Sequence, residues 1–163
     1  MKYRKLLSLV LALLLLCGCT ATSNSVQGWV DFYYLKNDLN LDKDNSMIVP
    51  ESVDIGEQSN DLKAALELYL QGPQSGYLYS PFPDDIKLIA VQKIEGRVEI
   101  TMNARLASLT GIELTLACCC LAKTCTSISG IEEIRIFSQD RLLDGDPYIH
   151  INTAKLQLFS GAH

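Results

Sequence analysis

Hydrophobic side chains recur along this chain at two periods, and each period predicts an element. From Val26 to Lys36, Val30, Phe32 and Tyr34 alternate with Asp31, Tyr33 and Leu35, the pattern of a strand rich in aromatic and β-branched residues. A polar turn from Asn37 to Ser46 follows. Met47-Ile48-Val49 then reads as a short strand, which Pro50 confines to a sheet edge or end because proline has no amide to donate. Leu62, Ala65, Leu66 and Tyr69 repeat at helical spacing, with Asn60 or Ser59 as cap near Asp61 and Gly72-Pro73 as the stop.

After a loop rich in glycine, proline and tyrosine, Ile86, Leu88 and Ala90 alternate with Lys87, Ile89 and Val91. Glu95-Gly96 turns the chain, and Val98, Ile100 and Met102 alternate with Arg97, Glu99 and Thr101, which completes a β-hairpin. A second helix is predicted from Leu106 or Ser108 to Lys123, with Leu109, Ile112, Leu116 and Cys119 as its buried stripe. Beyond Gly130, Ile134 and Ile136 face one way and Glu133 and Arg135 the other, a last core strand over Ile131–Phe137. The order strand, helix, hairpin, helix, strand predicts an α+β fold: a mainly antiparallel or mixed sheet of about four to five strands, two helices packed on one face. The tail, residues 146–163, alternates weakly from Tyr148 to Phe159 and either adds a strand or stays loose.

The N-terminus follows different rules. Lys2, Arg4 and Lys5 precede the apolar run Leu6–Leu16, which is too short to span a hydrocarbon core of about 30 Å and reads as an export signal. Leu16-Cys17-Gly18-Cys19 resembles the lipobox of bacterial lipoproteins, with Cys19 as the acylated residue, residues 1–18 as the signal and 19–25 as a flexible tether. Two acyl chains give stable anchoring where one does not. The whole chain of 163 residues carries −5; without residues 1–18 it holds 11 basic against 19 acidic groups, a charge of −8. That acidity argues against nucleic acid as a partner. At 48% apolar residues, the chain is long enough for one self-sufficient core.

Little in the exported part points to catalysis. Cys118, Cys119 and Cys120 are consecutive, so on a helix they diverge and share no metal ion. They read as buried thiols acting as small hydrophobes, with a Cys120–Cys125 bridge open only if the helix ends between them. Asn40, Asp42, Asp44 and Glu51 echo a calcium loop, but strand-like flanks and Pro50 favour a solvated turn. Ser80 lacks a nucleophile elbow, and His150 is the only internal histidine. The surface candidate is the stiff loop with Tyr77, Tyr79, Ser80, Pro81 and Phe82, a contact patch for a partner chain or glycan unless Tyr79 and Phe82 fold back on the core.

Ala64–Pro73, then Tyr79-Ser80-Pro81-Phe82-Pro83, then the Lys87–Thr101 hairpin resemble the sporulation and spore-germination domain called GerMN. The similarity runs from about Val26 to Gly145, and the run Cys118-Cys119-Cys120 stands where that family has apolar and small residues. The resemblance implies a non-enzymatic, membrane-tethered module over residues 26–145, acting in envelope assembly during sporulation or germination. It implies other envelope proteins or cell wall as partners, no cofactor, no metal and no catalytic residue. A wall-glycan or small-ligand binding lipoprotein is the alternative; the oligomeric state is left open.

Overall fold

The computed structural model describes residues 28–37 and 46–156. The expected signal segment, lipid-bearing Cys19, the tether 19–25, the turn with Asn40, Asp42 and Asp44, and residues 157–163 lie outside the described residues. The chain runs β1 (Trp29–Lys36), β2 (Ile48–Asp54), α1 (Leu62–Tyr69), β3 (Leu78–Tyr79), β4 (Leu88–Ile94), β5 (Arg97–Met102), α2 (Gly111–Ser129), β6 (Glu133–Ser138), β7 (Ile149–Asn152) and α3 (Thr153–Leu156). Short 3-10 turns at Gly56–Asn60 and Ala104–Ser108 lead into α1 and α2.

The fold is α+β, as the patterning predicts, and its strands divide between two sheets: β2-β1-β3 and β4-β5-β6-β7. In the first, β1 pairs antiparallel with β2 along its length and with β3 only at Leu35 and Lys36. Pro50 does lie on an edge strand, which runs on to Asp54 because the Asp31–Ser52 and Trp29–Asp54 pairs extend the ladder. In the second sheet, Glu95 and Gly96 both take positive φ, the turn a two-residue hairpin requires. β5 and β6 are parallel, so the chain must cross over between them, and α2 makes the crossing. The tail supplies a fourth strand, β7, antiparallel to β6.

α1 buries the expected Leu62, Ala65, Leu66 and Tyr69. Its cap is Asp61, rather than Asn60 or Ser59, whose carboxylate accepts from the amides of Lys63 and Ala64 at 2.9 and 3.3 Å. Asn60 and Ser59 are drawn into the preceding 3-10 turn, where Ser59 donates to the Gly56 carbonyl.

The larger correction concerns α2. It starts at Gly111, because Leu109 and Thr110 are extended. Its buried set is Leu114, Ala117, Cys118, Leu121 and Cys125, with Cys120, Ala122 and Thr124 beside them. Ile112, expected in the core, is 72% exposed, and Leu109, Leu116 and Cys119 are only partly covered. The helix is apolar nearly all the way round and packs against β1, α1, α3, β6 and β7, so periodicity alone could not choose its inner face. Its length and composition would suit a membrane span, but it lies in the core. Thr110 gives no side-chain cap; Asp144, held at positive φ in the loop after β6, accepts from the Gly111 amide at 3.1 Å.

Candidate functional site

The Tyr77–Phe82 loop is built from both ends. Upstream, the Glu51 carboxylate accepts from the amides of Gln74 (3.1 Å) and Ser75 (2.8 Å), tying the segment after α1 to β2. Glu51 thus serves as a loop anchor. The Tyr77 carbonyl accepts from Asn37, and Tyr79 pairs with Leu35 as part of β3. Downstream, the Phe82 amide donates to Ser80 Oγ at 3.2 Å, a local turn between two prolines.

This anchoring splits the five candidate contact residues. Tyr77 and Tyr79 are exposed, at 59% and 44%. Ser80 and Pro81 are partly covered. Phe82 belongs to the core, edge-on to Tyr69 at 6.1 Å between ring centres, and is withdrawn from any contact surface. Tyr69 in turn stacks on Tyr34 at 5.0 Å and meets Phe32 edge-on at 5.6 Å, so Phe82 completes a four-ring cluster.

Two further aromatics join the exposed tyrosines. Trp29 and Tyr33 alternate with the buried Val30, Phe32 and Tyr34, so they lie on the opposite face of β1, shared by Leu35, which is itself buried, and its exposed partner Tyr79. Trp29 is 59% exposed, and the Lys123 ammonium sits 4.9 Å from the Tyr33 ring centre. Between them Ser52 donates to Asp31 at 2.6 Å. Sequence reasoning missed Trp29 and Tyr33 as surface residues of interest. The signal was present in the alternation, which aims them away from Phe32 and Tyr34.

The groups weighed for catalysis are not brought together. Cys118, Cys120 and Cys125 are free and buried, Cys119 free and half-buried. Burial pushes the thiols of Cys118 and Cys125 up to about 12 and that of Cys120 higher, which suppresses the thiolate that nucleophilic chemistry needs. His150 is exposed and bonded to Glu133, which also accepts from Asn152. It alternates with buried Ile151, on the opposite side of the sheet from the thiols. Among the described residues, no three His, Cys, Asp or Glu side chains gather at metal-binding distance.

A family model described as sporulation and spore germination (Germane) matches residues 31–144. Among solved structures, a Clostridium perfringens protein described as a lipoprotein is similar at 19% identity and a TM-score of 0.50, over 82% of this chain and 93% of that one. The tandem GerMN domains of the sporulation protein GerM from Bacillus subtilis align at 21% identity and a TM-score of 0.53; they cover 75% of this chain, which spans 43% of theirs. The first of those domains alone aligns at 16% identity and a TM-score of 0.56, over 73% of this chain and 90% of that one. No curated protein matches the chain.

Proposed function

We propose, from the premise that this chain belongs to the sporulation and spore germination family, that it is a non-catalytic interaction module held at the outer face of the cell membrane by a lipid on Cys19. It works in cell-envelope assembly, in sporulation or germination, and binds other envelope components through its surface. The observation that carries this reading is the family match itself: residues 31–144 take in the packed core from β1 to the Asp144 turn. Three carboxylates of that span are engaged in architecture, Glu51 on a loop, Asp61 and Asp144 on helix ends. The deeply buried thiols have the chemistry of packing groups.

The anchor rests on the Leu16–Cys19 motif and is supported by the likeness to a clostridial protein described as a lipoprotein. Crosslinking in the intact envelope, followed by mass spectrometry, tests both halves. The expected result is a mature N-terminal peptide that begins at diacylated Cys19, together with crosslinks to envelope proteins or wall material. An unmodified N-terminal peptide, or release of the protein by washing without detergent, would refute the anchor. Hydrolytic or thiol-dependent turnover by the purified full chain would refute the non-catalytic assignment.

A further inference from the structure

We infer that the face of the β2-β1-β3 sheet that carries Trp29 and Tyr79 is a platform for an uncharged glycan strand, with Trp29, Tyr77 and Tyr79 as its stacking surfaces. The inference rests on the module reading above and names its ligand class.

Exposed Trp29 and Tyr79 share this face by register, with half-buried Tyr33 between them, and exposed Tyr77 stands in the turn that enters β3. The register fixes their order. Trp29 stands opposite Asp54, Tyr33 opposite Pro50, and Leu35 between Ile48 and Tyr79, with Tyr77 one step further on beside Asn37. At about 3.4 Å per residue the row is roughly 27 Å long, the shape of an extended chain rather than of a compact ligand. Twin exposed rings at one end and an indole at the other also leave polar groups between them: the Asp31–Ser52 pair and the Lys123 ammonium.

Those features select among partners. A pyranose ring offers an apolar C–H face to stack on an aromatic side chain and a rim of hydroxyls and amides that needs donors and acceptors beside it; tyrosine and tryptophan, apolar in body and polar at the tip, serve both needs. A lipid surface calls for basic residues and insertable aliphatic groups. This face has Asp31 and Asp54 against Lys123, and Lys123 already lies over Tyr33. An anionic polymer is disfavoured by the acidic chain. Of the exposed non-aromatic hydrophobic residues that a protein partner would bury, Ile89, Ile112 and Leu142 belong to β4, the start of α2 and the loop after β6, and Met47 alone, just ahead of β2, lies beside this sheet.

Trp29 is the only tryptophan in the chain, so the site carries its own reporter. The full chain in detergent is titrated with soluble N-acetylglucosamine oligosaccharides while Trp29 fluorescence is followed, and its sedimentation with purified wall sacculi is measured. Saturable change in Trp29 emission and co-sedimentation are expected, with Tyr77→Ala and Tyr79→Ala each weakening binding about tenfold at an unchanged unfolding midpoint. Leu142→Ala, on another surface, should bind as the parent does. Absence of both fluorescence change and co-sedimentation overturns the inference, as does binding that the two tyrosine variants leave intact. Protein crosslinks from Cys19-anchored material without glycan binding would sink the glycan platform and leave the module standing.

Discussion

The amide of Tyr33 donates to the hydroxyl of Thr124 at 2.8 Å, across two elements 91 residues apart in sequence. One step along the strand, the Asp31 amide donates to Ser127 Oγ at 2.9 Å. β3 pairs with β1 only at Leu35 and Lys36, so the rest of that strand edge would be left without partners. α2 lies along it and offers hydroxyls at a spacing of three residues to amides at a spacing of two, a side-chain substitute for a missing strand. Thr124 is fully buried, whereas Ser127 is exposed. Thr124→Val keeps the shape and removes the acceptor, and should cost about 1–3 kcal/mol by stranding an amide. Ser127→Ala should cost less, because water can replace the hydroxyl. Urea unfolding of the two variants checks the order; equal costs would contradict the edge-closing role.

The aromatic loop divides at Ser80 into a surface half and a core half. Phe82→Ala opens a void against Tyr69 and should destabilise by about 3 kcal/mol. Tyr77→Ala should stay within about 0.5 kcal/mol of the parent, as an exposed substitution does. Thermal unfolding of both separates the halves, and similar losses would show that the loop packs as one unit.

Hydrogen bonds from His150 and then Asn152 hold the Glu133 carboxyl below its ordinary value of 4.5 and fasten β7 to β6. Because the folded value lies below the unfolded one, the stability gained is complete above pH 4.5 and is lost as pH falls through the lowered folded value. Glu133→Gln should therefore lower stability at neutral pH and converge on the parent as pH falls through the lowered folded value, which flattens the acid limb of the stability curve. Denaturant midpoints across an acid pH series measure this; an unaltered acid limb would show that the carboxylate does not hold β7.

Thiol reactivity should follow burial. At neutral pH, iodoacetamide should modify Cys119 in the folded protein well before Cys118, Cys120 or Cys125, whose thiols are buried and raised. All four should react once the chain is unfolded. Peptide mapping against time reads this out, and early labelling of Cys118 would contradict the packing assigned to α2.

Local pattern alone was enough for the elements whose direction is a matter of alternation or a single stripe. The β4–β5 hairpin follows from Glu95-Gly96 and the apolar positions Val98, Ile100 and Met102; α1 follows from its stripe and its Gly-Pro stop. The family was legible for the same reason, since its marks are turn and packing signals close together in sequence. Tertiary structure decided what depends on distant partners. The inner face of α2 was set by the elements that surround it, because a helix apolar on every side has no intrinsic inside. The division into two sheets, the burial of Phe82 while Tyr79 stays out, and the gathering of Trp29, Tyr33 and Tyr79 on one face all arise from pairing between segments far apart in the chain. A period fixes which residues of an element point together; only the contacts made on folding determine whether they meet core or solvent.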